Sequence, residues 1–148
     1  MIQYKEKHDR RFYILVGDKE NWETSVKNKI WGFTEVSKGS WNTIEIDEIV
    51  AFYVTTPIKK IIGFGKVADK FIDEALIWND EKRFKRSLWK YKINLEIIHL
   101  CQIWDDGISL GPEFFLNTPR KVINKQLFLE LVNRADQKWG TEIRNMIQ

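Results

Sequence analysis

The sequence predicts an α+β domain whose strands pair mostly antiparallel into a small curved sheet or barrel. Short apolar runs of strand length recur along the chain, and amphipathic helical spacing occurs near its start and near its end. No low-complexity tract or Pro/Gly/Ser-rich linker separates these elements. The 148 residues, 43% hydrophobic and 30% charged, suit one globular domain. We therefore expect a single domain over residues 1–148.

The first half of the chain combines period-two alternation, typical of strands, with one stretch of helical spacing. Trp22, Val26 and Ile30 follow one another at four-residue intervals after Asn21, a residue type that favours the N-cap position. The predicted elements are a strand over Arg11–Gly17, a helix from Asn21 to Asn28, a strand over Ile30–Val36, a turn at Lys38–Ser40 and a strand over Ile49–Thr55.

The second half contains two long alternating strands and an amphipathic helix. Gly63 and Gly65 lie two residues apart in the first of these strands, which predicts a bend or the close approach of another backbone. The predicted elements are a strand over Lys60–Lys70, an irregular stretch over Phe71–Trp78, a strand over Trp89–Cys101, a loop over Gly107–Pro112 and a helix over Asn124–Lys138, capped by Asn124 and ended by Gly140.

Charge and aromatic content are distributed unevenly. The net charge is only +3, yet Lys82–Lys92 (KRFKRSLWKYK), which we call the basic segment, contains six bases and no acid. Seven Trp residues are more than one core normally uses, because each buried indole N–H needs a partner. They are Trp22, Trp31, Trp41, Trp78, Trp89, Trp104 and Trp139.

Catalytic, metal-binding and membrane signatures are missing from the sequence. There is no GxSxG, P-loop or HExxH motif, and the lone Cys101 and the two His residues lack zinc-ligand spacing. His99 lies in an apolar strand, which favours a packed histidine over a catalytic base. Asp105-Asp106 precede a glycine, which favours a solvated turn over a catalytic pair of carboxylates. We expect a cytoplasmic protein that is not an enzyme, binds no cofactor or metal, and has no signal peptide or transmembrane helix.

The basic segment is the first candidate for binding a partner. Its bases alternate with Phe84 and Trp89, which suits a surface that follows a phosphate backbone and stacks on a base. The alternative is a solvated loop that leads into a strand. The candidate backbone-binding residues are Lys82, Arg83, Lys85, Arg86 and Lys90.

Several short motifs point to a known family. In chain order they are Phe12–Leu15 (FYIL), Glu20–Glu23 (ENWE), Ile30–Phe33 (IWGF), Ile49–Val54 (IVAFYV) and Ile61–Gly65 (IIGFG). In this order they resemble the EVE domain, which belongs to the wider PUA-like fold and is close to the YTH domains. The likeness is to small prokaryotic EVE-type proteins and covers about residues 10–135. Asn-Trp at the first helix and Trp-Gly at the next strand are its most specific elements.

The resemblance implies a PUA-like, mostly antiparallel barrel flanked by helices, with a pocket for a modified base flipped out of RNA or DNA. In YTH domains a methylated base lies in an aromatic cage, and the position of one wall matches Trp31. Trp78 matches a second wall better than Trp89 does. Asn21 and Asp18 lie where such folds place groups that read the base edge. The segment 71–88 diverges from the family pattern.

We therefore predict a monomeric nucleic-acid-binding module that recognises a methylated base. RNA and DNA stay equally open. The alternative is a non-catalytic PUA-like module for a small nucleotide-like ligand or a protein partner. For Trp31 the competing interpretation is a core indole. We expect a cage wall to be partly exposed, and we expect Trp22 and Trp139 to be packing residues.

Overall fold

A computed structural model describes residues 10–114 and 119–147, and the predicted domain limits at Met1 and Gln148 lie outside them. Six strands form one curled sheet in the order β2-β5-β4-β3-β1-β6. The strands are β1 (Phe12–Gly17), β2 (Ile30–Phe33), β3 (Ile49–Val54), β4 (Lys60–Ile72), β5 (Tyr91–Leu100) and β6 (Arg120–Val122). Only β1 and β3 pair in parallel, and every other neighbouring pair is antiparallel. The predicted α+β class with a mostly antiparallel sheet is confirmed.

Five helices accompany the sheet within the described ranges. They are α1 (Lys19–Asn28), α2 (Lys38–Thr43), α3 (Asn79–Phe84), α4 (Lys125–Trp139) and α5 (Ile143–Ile147). The cap at Asn124 and the end of α4 at Gly140 are as predicted. One prediction was wrong, because a short helix replaces the turn at Lys38–Ser40, and α3, which was not predicted, extends into the start of the basic segment. Both helices have only six residues, too few for hydrophobic periodicity to show.

The predicted cap of the first helix was also wrong. Asp18, not Asn21, is the N-cap, and its side chain accepts a hydrogen bond of 2.8 Å from the backbone N–H of Asn21. Asn21 is therefore inside the first turn of α1, three residues after the cap. Asp and Asn cap helices equally well, so residue preference alone does not distinguish the two positions.

Strand β1 is buried on both faces. Alternate residues of β1 point to opposite sides, so that Phe12 and Ile14 pack towards α4 while Tyr13 and Leu15 pack in the same cluster as Trp22 of α1. Each such side chain contributes roughly 1.5–3 kcal/mol when it leaves water. This packing fixes α1, and with it Asn21, against the end of β1.

Strand β4 bends where the paired glycines lie. The register between β4 and β5 shifts between Phe64 and Gly65, which marks a β-bulge. A Cβ atom on Gly63 would lie 2.5 Å from the carbonyl oxygen of His99, and one on Gly65 would lie 2.9 Å from that of Glu96. The predicted close approach of another backbone at these glycines is confirmed.

Candidate functional site

A cavity of about 140 Å³ lies where β1 and β2 meet α1 and the residues around α3. Its lining contains three indoles, one amide side chain and no charged group. The lining residues are Val16, Gly17, Asn21, Trp31, Gly32, Trp78 and Trp89. The volume corresponds to about five water molecules at the density of liquid water. It is far smaller than the roughly 300–1,000 Å³ of sites for drug-sized ligands, so the cavity suits a single ring system.

Trp31 forms the wall provided by β2, where it pairs in register with Ile93 of β5. One face of its indole stacks on Trp22, with ring centroids 4.1 Å apart and planes 23° apart. A Cβ atom on Gly17 would lie 2.4 Å from Cη2 of Trp31, so that only glycine allows this packing. Trp31 is consequently only 5% exposed, and the expectation of a partly exposed wall was wrong. Trp31 is both a cavity wall and a packed residue.

The indole nitrogen of Trp31 is buried and has no hydrogen-bond partner among the described residues. The buried indole of Trp22, by contrast, donates to the carbonyl of Tyr53 at 2.8 Å. An unpaired buried donor destabilises the folded chain by roughly 1–3 kcal/mol, and such donors call for a specific explanation. A ligand with a hydrogen-bond acceptor would supply one.

Trp78 is held from several sides. It is 2% exposed, and its Nε1 donates to Oγ of the fully buried Ser25 in α1 at 2.9 Å. A Cβ atom on Gly32 would lie 2.8 Å from Cη2 of Trp78 and 2.4 Å from Cβ of Trp89. Gly32 therefore permits the close approach of both indoles to β2. Trp78 has little freedom to move when a ligand enters.

Trp89 is the half-buried wall of the cavity. Its ring meets that of Trp78 edge to face, with centroids 5.5 Å apart and planes 69° apart. The prediction offered Trp78 and Trp89 as alternatives for a second wall, and both line the cavity. Trp89 is the more accessible of the two, so its indole can move at a lower energetic cost.

The two polar residues predicted at the first helix have different environments. Asp18 is exposed, serves as the cap of α1, and is not part of the cavity lining. Asn21 is half-buried and lines the cavity, and no described residue forms a hydrogen bond with its side chain. An amide side chain carries both a donor and an acceptor. Asn21, rather than Asp18, is thus placed with the indoles.

A buried ammonium group lies behind the Trp78 ring. Lys92, fully buried in β5, has its Nζ 5.9 Å from the centroid of that ring and donates to the carbonyl of Ala75 at 3.0 Å. Its counterion is Asp73, at 3.2 Å. Hydrogen bonds from the Ala75 backbone N–H and from Lys92 lower the pKa of Asp73. Lys92 is therefore structural, although the sequence placed it in the basic segment.

The other five basic residues of the basic segment are exposed or half-buried, and they lie just before and after Trp89 in the chain. Arg83 lies 3.6 Å from Asp80, and Lys90 lies 3.6 Å from Glu35, in exposed or half-exposed ion pairs. The remaining three candidate bases are exposed and have no ion pair with any described residue. We call these three side chains the unpaired cations: Lys82, Lys85 and Arg86. They remain available to an anionic ligand.

Other residues singled out in the sequence have structural roles. His99 packs against Trp139, with ring centroids 5.2 Å apart, and Trp139 donates through Nε1 to the carbonyl of Asp106. Asp105 and Asp106 lie exposed in a 3-10 turn, Trp104–Asp106. Trp104 borders a separate open groove of about 530 Å³.

Within residues 10–114 and 119–147, no three His, Cys, Asp or Glu side chains are grouped to hold a metal ion. None of the described helices has the length and apolar character to cross a membrane.

Solved structures with a similar fold include several YTH domains. The Mmi1 YTH domain aligns with a TM-score of 0.61 and 16% identity over 86% of this chain and 91% of that chain. The Pho92 YTH domain in complex with m6A aligns with a TM-score of 0.60 and 12% identity over 90% and 86%. Protein Atu2648 from Agrobacterium tumefaciens aligns with a TM-score of 0.54 and 12% identity over 84% and 92%. No protein-family model and no curated protein matches the sequence. The chain has the YTH-like fold, as the predicted PUA-like class requires.

Proposed function

We propose that this protein binds single-stranded nucleic acid and holds one methylated base, turned out of the strand, between the indoles of Trp31, Trp78 and Trp89. The cavity is the observation that carries the proposal. It has the size of one ring system, aromatic walls and an uncommitted amide at Asn21. The protein would act as an EVE-type reader module without chemistry of its own.

The energetics of base recognition are compatible with this cavity. Unstacking and unpairing a base takes a few kcal/mol, least where the strand is already single. Stacking on an aromatic side chain returns roughly 1–3 kcal/mol per base. Burying the added methyl group contributes only about 0.8 kcal/mol. Discrimination beyond a few-fold therefore has to come from hydrogen bonds to the base edge, for which Asn21 and the Nε1 of Trp31 are the candidate groups.

RNA is the first nucleic acid to test. Structures of YTH domains with this fold include Mmi1 in complex with RNA and Toxoplasma CPSF4 with a 7-mer m6A-modified RNA. The unpaired cations, which precede Trp89 in the chain, would neutralise phosphates as the strand leaves the cavity. A free nucleotide-like metabolite is the weaker alternative, because about 140 Å³ leaves little room for sugar and phosphate.

The test is binding of an m6A-containing RNA, its unmethylated twin and the corresponding DNA pair, measured by fluorescence anisotropy over a salt series. We expect the methylated RNA to bind more tightly at every salt concentration. Trp89→Ala should remove this preference, while Trp104→Ala, which truncates another half-buried indole outside the cavity, should keep it. Equal affinity for all four strands, or an equal effect of the two variants, would contradict the proposal.

A further inference from the structure

The walls of the cavity are connected through one buried carboxylate. Glu81 in α3 is 0% exposed, a rare state for a glutamate without strong hydrogen bonds. Its Oε1 accepts from the backbone N–H groups of Ile77 and Trp78 at 2.9 and 3.3 Å. Its Oε2 accepts from those of Leu88 and Trp89 at 2.9 and 3.1 Å. One side chain therefore bonds the backbone at both ends of the stretch from 77 to 89.

All four described partners of Glu81 are main-chain amides. No cation pairs with this carboxylate among the described residues, and the four amides are its described hydrogen-bond partners. Hydrogen bonds to an ionised acceptor are about twice as strong as those between neutral groups. Since Trp78 and Trp89 are two walls of the cavity, their backbones cannot separate without breaking bonds to the same carboxylate.

We propose that Glu81 is a positioning residue that sets the gap between the Trp78 and Trp89 indoles. It also orders the exposed Lys and Arg side chains that lie between the two tryptophans in the chain. Recognition of the nucleobase and contact with the phosphates therefore depend on one group. This inference rests on the proposed function, because it concerns how the same cavity is kept in a binding geometry.

Glu81→Gln is the informative substitution, because it keeps the size of the side chain and removes half of its acceptors. Gln has one carbonyl oxygen for two of the amides, and its NH₂ group would face the N–H groups of the other two. One of the two walls thereby loses its backbone anchor. Glu81→Asp keeps the charge but is one methylene shorter, and it cannot reach all four amides.

Glu48 offers a matched control. It is also 0% exposed, and it accepts from the backbone N–H groups of Arg11 and Glu45 at 2.9 Å each, with additional bonds from Arg11 Nε at 2.8 Å and from the Tyr13 hydroxyl at 3.3 Å. It does not line the cavity. Glu48→Gln therefore removes a buried, amide-bonded carboxylate at a distance from the proposed site.

The experiment measures two quantities for the wild type, E81Q and E48Q, with E81D in place of E81Q if E81Q does not fold. The first is the affinity ratio between an m6A-containing RNA and its unmethylated twin, and the second is amide hydrogen exchange at Trp78 and Trp89 without RNA. We expect E81Q to reduce the ratio to near one and to speed exchange at the tryptophan amide that loses its acceptor by about tenfold or more. E48Q should keep the wild-type ratio and the wild-type exchange at these two amides.

Each outcome is decisive for Glu81. An unchanged ratio in E81Q, in a wild type that discriminates, overturns the positioning role and leaves the proposed function intact. A wild type that does not discriminate contradicts the proposed function, and the exchange rates then decide alone, with unchanged rates in E81Q overturning the role. If neither E81Q nor E81D folds while E48Q does, Glu81 is a requirement of the whole fold, which also overturns it.

Discussion

The most sharply defined prediction compares the same substitution at two walls of the cavity. Trp31→Phe and Trp78→Phe each replace a buried bicyclic indole by a single phenyl ring, so that the loss of volume is similar in both. Trp78→Phe also removes the donor that bonds Ser25 Oγ at 2.9 Å. Trp31→Phe removes a donor that has no partner. We expect Trp78→Phe to destabilise the fold more.

The expected difference follows from the hydrogen bond. Ser25 is fully buried, so its hydroxyl would be left without a partner in Trp78→Phe, a change worth roughly 1–3 kcal/mol. For a chain of this length, 1 kcal/mol shifts the melting temperature by roughly 2–4 °C. Trp78→Phe should therefore melt roughly 2–12 °C below Trp31→Phe.

Urea denaturation of both variants, with and without Ser25→Ala, measures this difference directly. In a double-mutant cycle, Ser25→Ala should couple to Trp78→Phe and not to Trp31→Phe. Equal destabilisation by the two Trp substitutions, or the absence of coupling at Trp78, would refute the assignment of the two indole nitrogens. Binding provides a second readout, because a ligand that accepts from Trp31 Nε1 would be lost in a Trp31→Phe variant that remains fully folded.

Three further predictions concern the rest of the site. Asn21→Asp should leave the melting temperature unchanged, because Asp18 caps α1. It should weaken binding of a methylated base at least tenfold, because it replaces a donor by a negative charge, whereas a loss of stability would mean that Asn21 is a packing residue. Gly32→Ala should abolish the methyl preference but retain salt-dependent binding, because its Cβ would lie 2.4 Å from that of Trp89; a retained preference in the anisotropy assay would contradict the described cavity. Replacing the three unpaired cations by Ala should reduce the slope of log K against log salt by about 2, because each phosphate contact contributes about 0.7. An unchanged slope would exclude these side chains from the interface.

The strands and the long helix could be predicted because their signals are local. Alternation fixed β3 to within a residue of its end at Val54, and the spacing from Asn124 located α4. The short helices α2 and α3 gave no such signal. The resemblance placed Trp31, Trp78, Asn21 and Asp18 in one pocket, and the first three line the same cavity, whereas Asp18 lies outside its lining.

The parts of the site that depend on packing could not be predicted. The burial of Trp31 depends on its stacking against Trp22, which is a tertiary contact. Glu81 and Lys92 lie at the two ends of a stretch that is rich in charged residues. Before the fold is known, nothing in the sequence distinguishes these two buried residues from their exposed neighbours. The glycines at 17 and 32 did carry a signal, since each adjoins an aromatic-rich strand, but only the geometry shows which indoles they admit.

The most direct measurement is an indole N–H spectrum of the ¹⁵N-labelled protein, with and without an m6A-containing RNA. If a base enters the cavity, the signals of Trp31, Trp78 and Trp89 should shift, and those of Trp104 and Trp139, which lie outside its lining, should remain in place. The Trp31 signal should show the largest change, because its Nε1 is the unpaired donor. Shifts confined to Trp104, or an unchanged spectrum under conditions where the RNA is bound, would contradict the account.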